Sequence, residues 1–364
     1  MSRDAQLFVC VATVLVAIGA VMAHSASMTS RPTEKDEIHL GHHAMYLGVG
    51  LVAAIAAAVM PPHFWRRAAP WLFAGTILLL VAVLVPGLGT TVNGARRWLR
   101  FGSFSIQPTE IAKLTLPLML CKLIVARRDR LGEWIQGTAP ILWPAGIVLP
   151  LVLLEPDLGT TLFLASGAAL LLFLAGWPLR NFVLVAGIAV PALLAIVLVQ
   201  PYQLRRLTGF VAVWTDPAAA PYQVRQALIT LGSGGLHGTG LGQGWQKLSF
   251  LPEASTDFVF AVVGEELGLI GTLGLVASWV GVFVLGLRVL KDIEQSSFAF
   301  LSGITLLFQL VGQAVVNMAV VTALLPPKGI ALPLISYGGS NLVVSLAAIG
   351  VILSMSRAAE TETL

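Results

Sequence analysis

Ten apolar runs, each close to the length that crosses a bilayer, constrain this chain more than any other feature. They fall near residues 5–27, 44–60, 68–87, 107–126, 139–155, 158–177, 181–200, 257–287, 296–324 and 338–355. A helix crossing the roughly 30 Å hydrocarbon core needs about 20 mostly apolar residues, and in lipid the backbone must satisfy its own hydrogen bonds, which favours helices. The expected fold is an all-α integral membrane protein: a polytopic bundle of about ten transmembrane helices, forming a single domain over residues 1–364. Charged residues make up only 11% of the chain, against roughly 25% in soluble domains, so little soluble mass is expected. The run 257–287 exceeds one crossing and contains Glu265, Glu266 and several glycines. A tilt or break is expected there.

The opening run Leu7 to Met22 has almost no basic segment before it and is followed by equally strong spans, so it reads as a retained first helix rather than a cleaved signal. Net charge is +4 with a pI of about 9.3, which in such a chain points to topology and anionic lipid rather than nucleic acid. Cys10 and Cys121 both lie in apolar runs, which supports neither a disulfide framework nor a thiolate metal site. Arg66, Arg67, Arg127, Arg128, Arg130, Arg180, Arg288, Lys291 and Arg357 fall on the side of the amino terminus. By the preference of short basic loops for the cytoplasm, both termini are expected there. Arg96, Arg97, Arg100, Arg205, Arg206, Arg225, Lys247 and Lys328 fall on the opposite side, where topology alone does not put them.

The longest non-apolar segment, about 201–256 between spans 7 and 8, is expected to be a large outer loop without regular structure. It contains the glycine-rich stretch Leu231 to Gly244. Such loops are more often functional than idle, and glycines permit close backbone approach to a ligand; a flexible tether is the alternative.

Four clusters carry possible chemistry. In the first, Asn93 to Gly102 is followed by Gln107-Pro-Thr-Glu-Ile-Ala-Lys113. Arg96, Arg97 and Arg100 beside a Trp suit a phosphate group, because guanidinium donates two parallel hydrogen bonds to phosphate oxygens, or a simple headgroup anchor. Glu110 and Lys113 lie three apart on one helix face after Pro108 and can pair; the pair is either structural or a support for a catalytic carboxylate. In the second, Glu155-Pro-Asp-Leu-Gly-Thr-Thr161, Asp157 either caps the next helix or walls a substrate cavity.

The third cluster, Gln246 to Gly268, places Asp257 at the outer mouth of a long apolar helix with Glu253 just before it. Asp257 either caps that helix or serves as a general base, its pKa tuned by desolvation and nearby cations. The fourth, Leu325 to Asn341, is rich in Pro and Gly. Irregular backbone at membrane depth persists only where it is buried or lines a cavity. Lys328, Ser336 and Ser340 can donate to a polar substrate, or the serines can cap helices. The histidines, including His39, His42 and His43, form no HExxH pattern, and there is no Walker loop or GxSxG elbow.

Taken in order, these residues resemble the SEDS (shape, elongation, division and sporulation) family across nearly the whole chain. The resemblance rests on Ser25-Ala-Ser27, Gly94-Ala-Arg-Arg-Trp98, Gln107-Pro-Thr-Glu110 with Lys113, Pro156-Asp-Leu-Gly-Thr160, Gln246-Lys-Leu, Leu251-Pro-Glu, Thr256-Asp-Phe, Gly264-Glu-Glu-Leu-Gly268 and Leu332-Pro-Leu-Ile-Ser-Tyr-Gly-Gly-Ser340. The Leu325-Pro-Pro-Lys-Gly329 wording is similar to the division branch more than to the elongation branch. Ser255, Ala323 and Asn341 stand where His, Gly and Ser are common in the family.

The resemblance implies a peptidoglycan glycosyltransferase that polymerises lipid II at the outer face of the cytoplasmic membrane during septal wall synthesis. It implies Asp257 as the catalytic residue, either the general base or the group that orients the acceptor hydroxyl, and Arg96, Arg97, Lys113 with Arg205, Arg206 or Lys247 as partners of the departing pyrophosphate. Glu110 and Asp157 become supporting residues, with Glu253, Lys328, Ser336 and Ser340 at the substrate. A magnesium or manganese ion shared between Asp257 and the pyrophosphate is compatible with this chemistry, with no organic cofactor. The implied partners are lipid II, undecaprenyl-pyrophosphate-linked glycan, a class B penicillin-binding protein and divisome proteins. A lipid II flippase, an elongation-type polymerase and a non-catalytic scaffold are the competing readings.

Overall fold

A computed structural model gives the structure of residues 2–27, 34–92, 94–102, 104–216, 218–248 and 250–358. Asn93, which opens the first motif, and the side chains of Ala26, Ser27 and His39 lie outside what is described. Each of the ten apolar runs is a helix: α1 (Arg3–Ser27), α2 (Glu34–Val59), α3 (Pro62–Leu84), α4 (Pro108–Ala126), α5 (Ala139–Leu154), α6 (Leu158–Leu174), α7 (Leu179–Val199), α10 (Val259–Leu290), α11 (Phe298–Val321) and α12 (Gly339–Ser356). Among the described residues, eight helical segments are long and apolar enough to cross a membrane, while α6 is a shorter apolar helix. α4 carries Glu110, Lys113 and Lys122 within its 19 residues.

Helix α2 packs on α12, α1 on α10 and α3 on α4. Small residues make the first pairing close: Gly350 lies against the Ala54 carbonyl and Ala57, so the backbones approach where larger side chains would hold them apart. The buried core runs through Phe8, Leu15 and Met22 of α1, Leu116 to Cys121 of α4, Trp279 and Val282 of α10, and Val351 and Ile352 of α12. Helix α7 differs: Asn181 is its only buried residue, so its apolar sides face outward, as a lipid-exposed helix requires.

Two elements depart from the expectations and a third bears them out. The arginine-rich connection after α3 folds as a three-stranded antiparallel sheet, β1 (Gly89–Val92), β2 (Ala95–Phe101) and β3 (Phe104–Ile106), in the order β1-β2-β3. The segment 201–256 is not a loop without regular structure: it holds α8 (Pro201–Thr215) and α9 (Tyr222–Ser233), and α9 packs on α10. The long run after 257 does break, at Gly268, where φ is 68° and ψ is −163°. Only glycine adopts that conformation without strain. The break lets the chain at Gly235 and Leu236 supply carbonyls to the Leu269 and Ile270 amides, at 2.9 and 3.2 Å.

Candidate active site

The second and third clusters and the Pro/Gly-rich segment converge at one end of the bundle. Asp257 sits in the turn before α10 and is half-buried. It does not cap that helix: the N-cap is Phe258, with no side-chain capping bond. Its side chain faces the segment before α12, so closely that a Cβ on Gly329 would stand 3.0 Å from Asp257 Oδ2. Burial pushes the Asp257 carboxyl up to about 7; Glu253 and Asp157 add to the rise, while Arg206 and Arg97 oppose it.

Arg97 arrives from β2. Neighbouring residues on a strand point to opposite faces, and the two arginines part accordingly. Arg96 Nη1 donates to the Leu84 carbonyl at the end of α3 (3.2 Å). Arg97 Nε and Nη2 donate to the carbonyls of Glu155 (3.1 Å) and Pro156 (2.6 Å), and Nη1 lies 3.6 Å from Asp157 Oδ2. Asp157 also caps α6, its Oδ1 accepting from the Thr160 amide at 3.0 Å. The two expectations for Asp157 therefore hold together: it is a cap, and its second oxygen faces the cluster.

Lys328 joins from the segment before α12. Burial lowers the pKa of its ammonium, Asp157 opposes that shift and Arg206 adds to it. Arg206, on α8, stacks its guanidinium over the Tyr202 ring at 4.6 Å, while Arg205 on the same helix is exposed. Glu253 is exposed, has φ 56°, and accepts from Thr256 Oγ1 at 2.9 Å. Asp257, Glu253, Asp157, Arg97, Arg206 and Lys328 thus make one electrostatic cluster of carboxylates and cations. Such a place stabilises charge developing on a phosphate while holding a base.

Glu155 is a separate case. It is fully buried, and neither carboxylate oxygen has a hydrogen-bond partner among the described residues. Burial, with Asp157 adding and Arg97 opposing, pushes it up to about 8. A carboxyl there is neutral at pH 7.

The remaining candidates are placed beside the cluster or away from it. Glu110 and Lys113 pair at 2.7 Å, and each holds a second partner: Lys113 Nζ donates to Gln313 Oε1 (2.9 Å) and Asn341 Nδ2 donates to Glu110 Oε2 (2.9 Å). Ser336 Oγ donates to the Thr256 carbonyl (2.5 Å) and accepts from the Leu332 amide (2.7 Å); Ser340 Oγ donates to the Ser105 carbonyl (3.0 Å). Both hydroxyls fasten backbone rather than point to open space.

Lys247 is not in the cluster. Its ammonium is fully buried, 2.6 Å from Glu266 Oε1 and 2.8 Å from Ser25 Oγ. Glu265 Oε1 meanwhile accepts from the amides of Trp245 (2.8 Å) and Gln246 (3.1 Å). These groups tie the glycine-rich segment to α1 and α10, so the flexible-tether alternative gives way to a pinned one. Among the described residues no three His, Cys, Asp or Glu side chains group to hold a metal.

Sequence reasoning passed over Asn317 and Gln313, which touch this site from α11. Their signal was present: Ser302, Thr305, Gln309, Gln313 and Asn317 are buried polar residues at helical spacing on an otherwise apolar helix.

Residues 5–361 match the cell cycle protein family model that takes in FtsW, RodA and SpoVE. The chain is 38% identical over 348 residues to a probable peptidoglycan glycosyltransferase FtsW of Geobacter sp. (strain M18), covering 95% of this chain and 94% of that one. It is 39% identical over 367 residues to a protein of the same name in Coxiella burnetii (strain RSA 493 / Nine Mile phase I), covering 99% and 97%. Among solved structures it superposes on a chain of a peptidoglycan synthase complex, studied for the coordination of polymerization and crosslinking, with a TM-score of 0.78 and 29% identity over 97% of each chain. Rod shape determining protein RodA of Thermus thermophilus gives 0.69 and 29%, over 96% of this chain and 95% of that one. The match over nearly its whole length makes this chain a member of the cell cycle protein (FtsW, RodA and SpoVE) family.

Proposed function

We propose that this chain is a peptidoglycan glycosyltransferase that polymerises lipid II into glycan strands during septal wall synthesis. The observation that carries the reading is the opposition of Asp257 and Asp157 to Arg97, Arg206 and Lys328 at one end of a membrane bundle. A base and a set of cations at a shared mouth suit attack of a hydroxyl on a sugar whose leaving group is a pyrophosphate. Asp257 takes the proton from the 4-hydroxyl of the acceptor N-acetylglucosamine. That oxygen bonds to the anomeric carbon of the donor N-acetylmuramic acid, and the bond to undecaprenyl pyrophosphate breaks with its electron pair. Arg97, Arg206 and Lys328 meet the negative charge as it grows.

The basic residues Arg66, Arg67, Arg127, Arg128, Arg130, Arg180, Arg288, Lys291 and Arg357 support placing both termini in the cytoplasm and the site outside. A class B penicillin-binding protein that cross-links the strands is the proposed partner, alongside divisome proteins. Magnesium is ordinarily held by one or two carboxylates plus substrate phosphates, so a divalent ion arriving with the pyrophosphate is compatible with this site. Strand formation from purified lipid II in liposomes, by the chain alone and with the class B partner, tests the function. Polymer is expected; none under any condition returns the flippase and scaffold readings.

A further inference from the structure

One side chain joins the two irregular segments that make the site. Asn317 is 1% exposed near the end of α11. Its Nδ2 donates to the Asp257 carbonyl (2.8 Å) and to the Ile330 carbonyl (2.7 Å). A carboxamide nitrogen has two N–H groups held in one plane, so it bridges two carbonyls in a way a hydroxyl or an apolar side chain does not. One carbonyl belongs to the proposed base. The other follows Gly329, the residue whose Cα faces the Asp257 carboxylate. The spacing between base and wall is thereby set by one rigid group on a packed helix.

One turn earlier, Gln313 does the same for the next residue. Its Nε2 donates to the Ala331 carbonyl (2.8 Å), and its Oε1 accepts from Lys113 Nζ (2.9 Å). Lys113 is the partner of Glu110. A chain of contacts therefore runs from the Glu110–Lys113 pair through Gln313, Ala331, Ile330 and Asn317 to Asp257. None of these groups between Lys113 and Asp257 is free to reach a substrate.

We propose that Asn317 is a positioning residue for the transfer reaction: its carboxamide locks the Asp257 backbone to the 328–331 segment, and Gln313 extends that lock to Glu110 and Lys113. The assignment rests on the polymerase reading. Asn317 orients the base and binds no substrate, so its loss lowers turnover and leaves substrate capture alone. Misplacement of a reacting group by about 1 Å lowers rates by about 100-fold.

Initial rates of strand formation over a range of lipid II concentrations, with the full chain in liposomes, separate the two parameters. Wild type is compared with Asn317→Asp, which keeps the shape and leaves at most one donor for the two carbonyls, and with Asn317→Ser, an uncharged change that keeps one donor if folding of the first fails. A fall in kcat of about 10- to 100-fold with KM within about twofold is expected for Asn317→Asp, and a smaller fall for Asn317→Ser. A merely structural role lowers the melting temperature and leaves kcat of the folded protein unchanged, which overturns the assignment, as does a raised KM at constant kcat. A wild-type chain that forms no strand, alone or with the class B partner, overturns the polymerase reading itself and this assignment with it.

Discussion

Arg97 and Asp157 face each other at 3.6 Å, longer than a hydrogen bond, because the other guanidinium nitrogens of Arg97 are held by the carbonyls of Glu155 and Pro156. The backbone bonds aim the side chain, which is 28% exposed. Replacing Arg97 by Lys keeps the charge and loses the planar fork that makes these bonds. A charge-assisted hydrogen bond is worth roughly 1.5–3 kcal/mol, so Arg97→Lys is expected to lower kcat/KM for lipid II about 10- to 100-fold. Steady-state kinetics on the purified chain check it.

The Asp257 carboxyl, pushed up to about 7, works as a base only when deprotonated. The rate of strand formation should therefore rise through about pH 7 and fall below it. Arg206 holds the carboxyl down, so Arg206→Gln moves the acid limb of the profile to higher pH; Glu253 raises it, so Glu253→Gln moves the limb lower. A pH–rate series on the three proteins reads these directions.

Glu155 is neutral at pH 7 because burial pushes it up to about 8. A carboxyl with a raised folded-state value stabilises the fold fully below its unfolded value, near 4.5, and that stability is lost as pH rises toward about 8. Glu155→Gln has the same shape and no charge to bury. It should keep activity within about twofold at pH 7 and show a smaller loss of melting temperature between pH 5 and pH 8, a window set by the unfolded and folded values, than wild type.

The Lys247–Glu266 pair, with both side chains fully buried, is a structural bond. Removing one partner of a buried pair leaves an uncompensated charge and costs about 3–5 kcal/mol. Lys247→Ala should lower the melting temperature sharply, while KM for lipid II in the surviving folded protein stays at the wild-type value. A raised KM would return Lys247 to the substrate.

The membrane fold was legible because span length and hydropathy act residue by residue: a helix falls on each of the ten apolar runs. The capping role of Asp157 and the Glu110–Lys113 pairing were legible for the same reason, since both are local. The sheet of residues 89–106 was not. Its strands are short, and Arg96 and Arg97 look alike in sequence while their neighbours 58 or more residues on, or at the end of α3, send them to opposite sides. Lys247 reads as a cation at the mouth until Ser25, 222 residues away in sequence, and Glu266 are seen to enclose it. Asn317 was masked by the apolar helix around it, since its two carbonyl partners come from segments that only the fold brings together.

On the proposed reading, Asp257 is the base of a glycosyl transfer. The most direct test is strand formation from purified lipid II by Asp257→Ala and Asp257→Asn proteins that remain folded and still bind the class B partner. No polymer from either, against clear polymer from wild type, is the expected result. Polymer at the wild-type rate from Asp257→Ala would contradict the account.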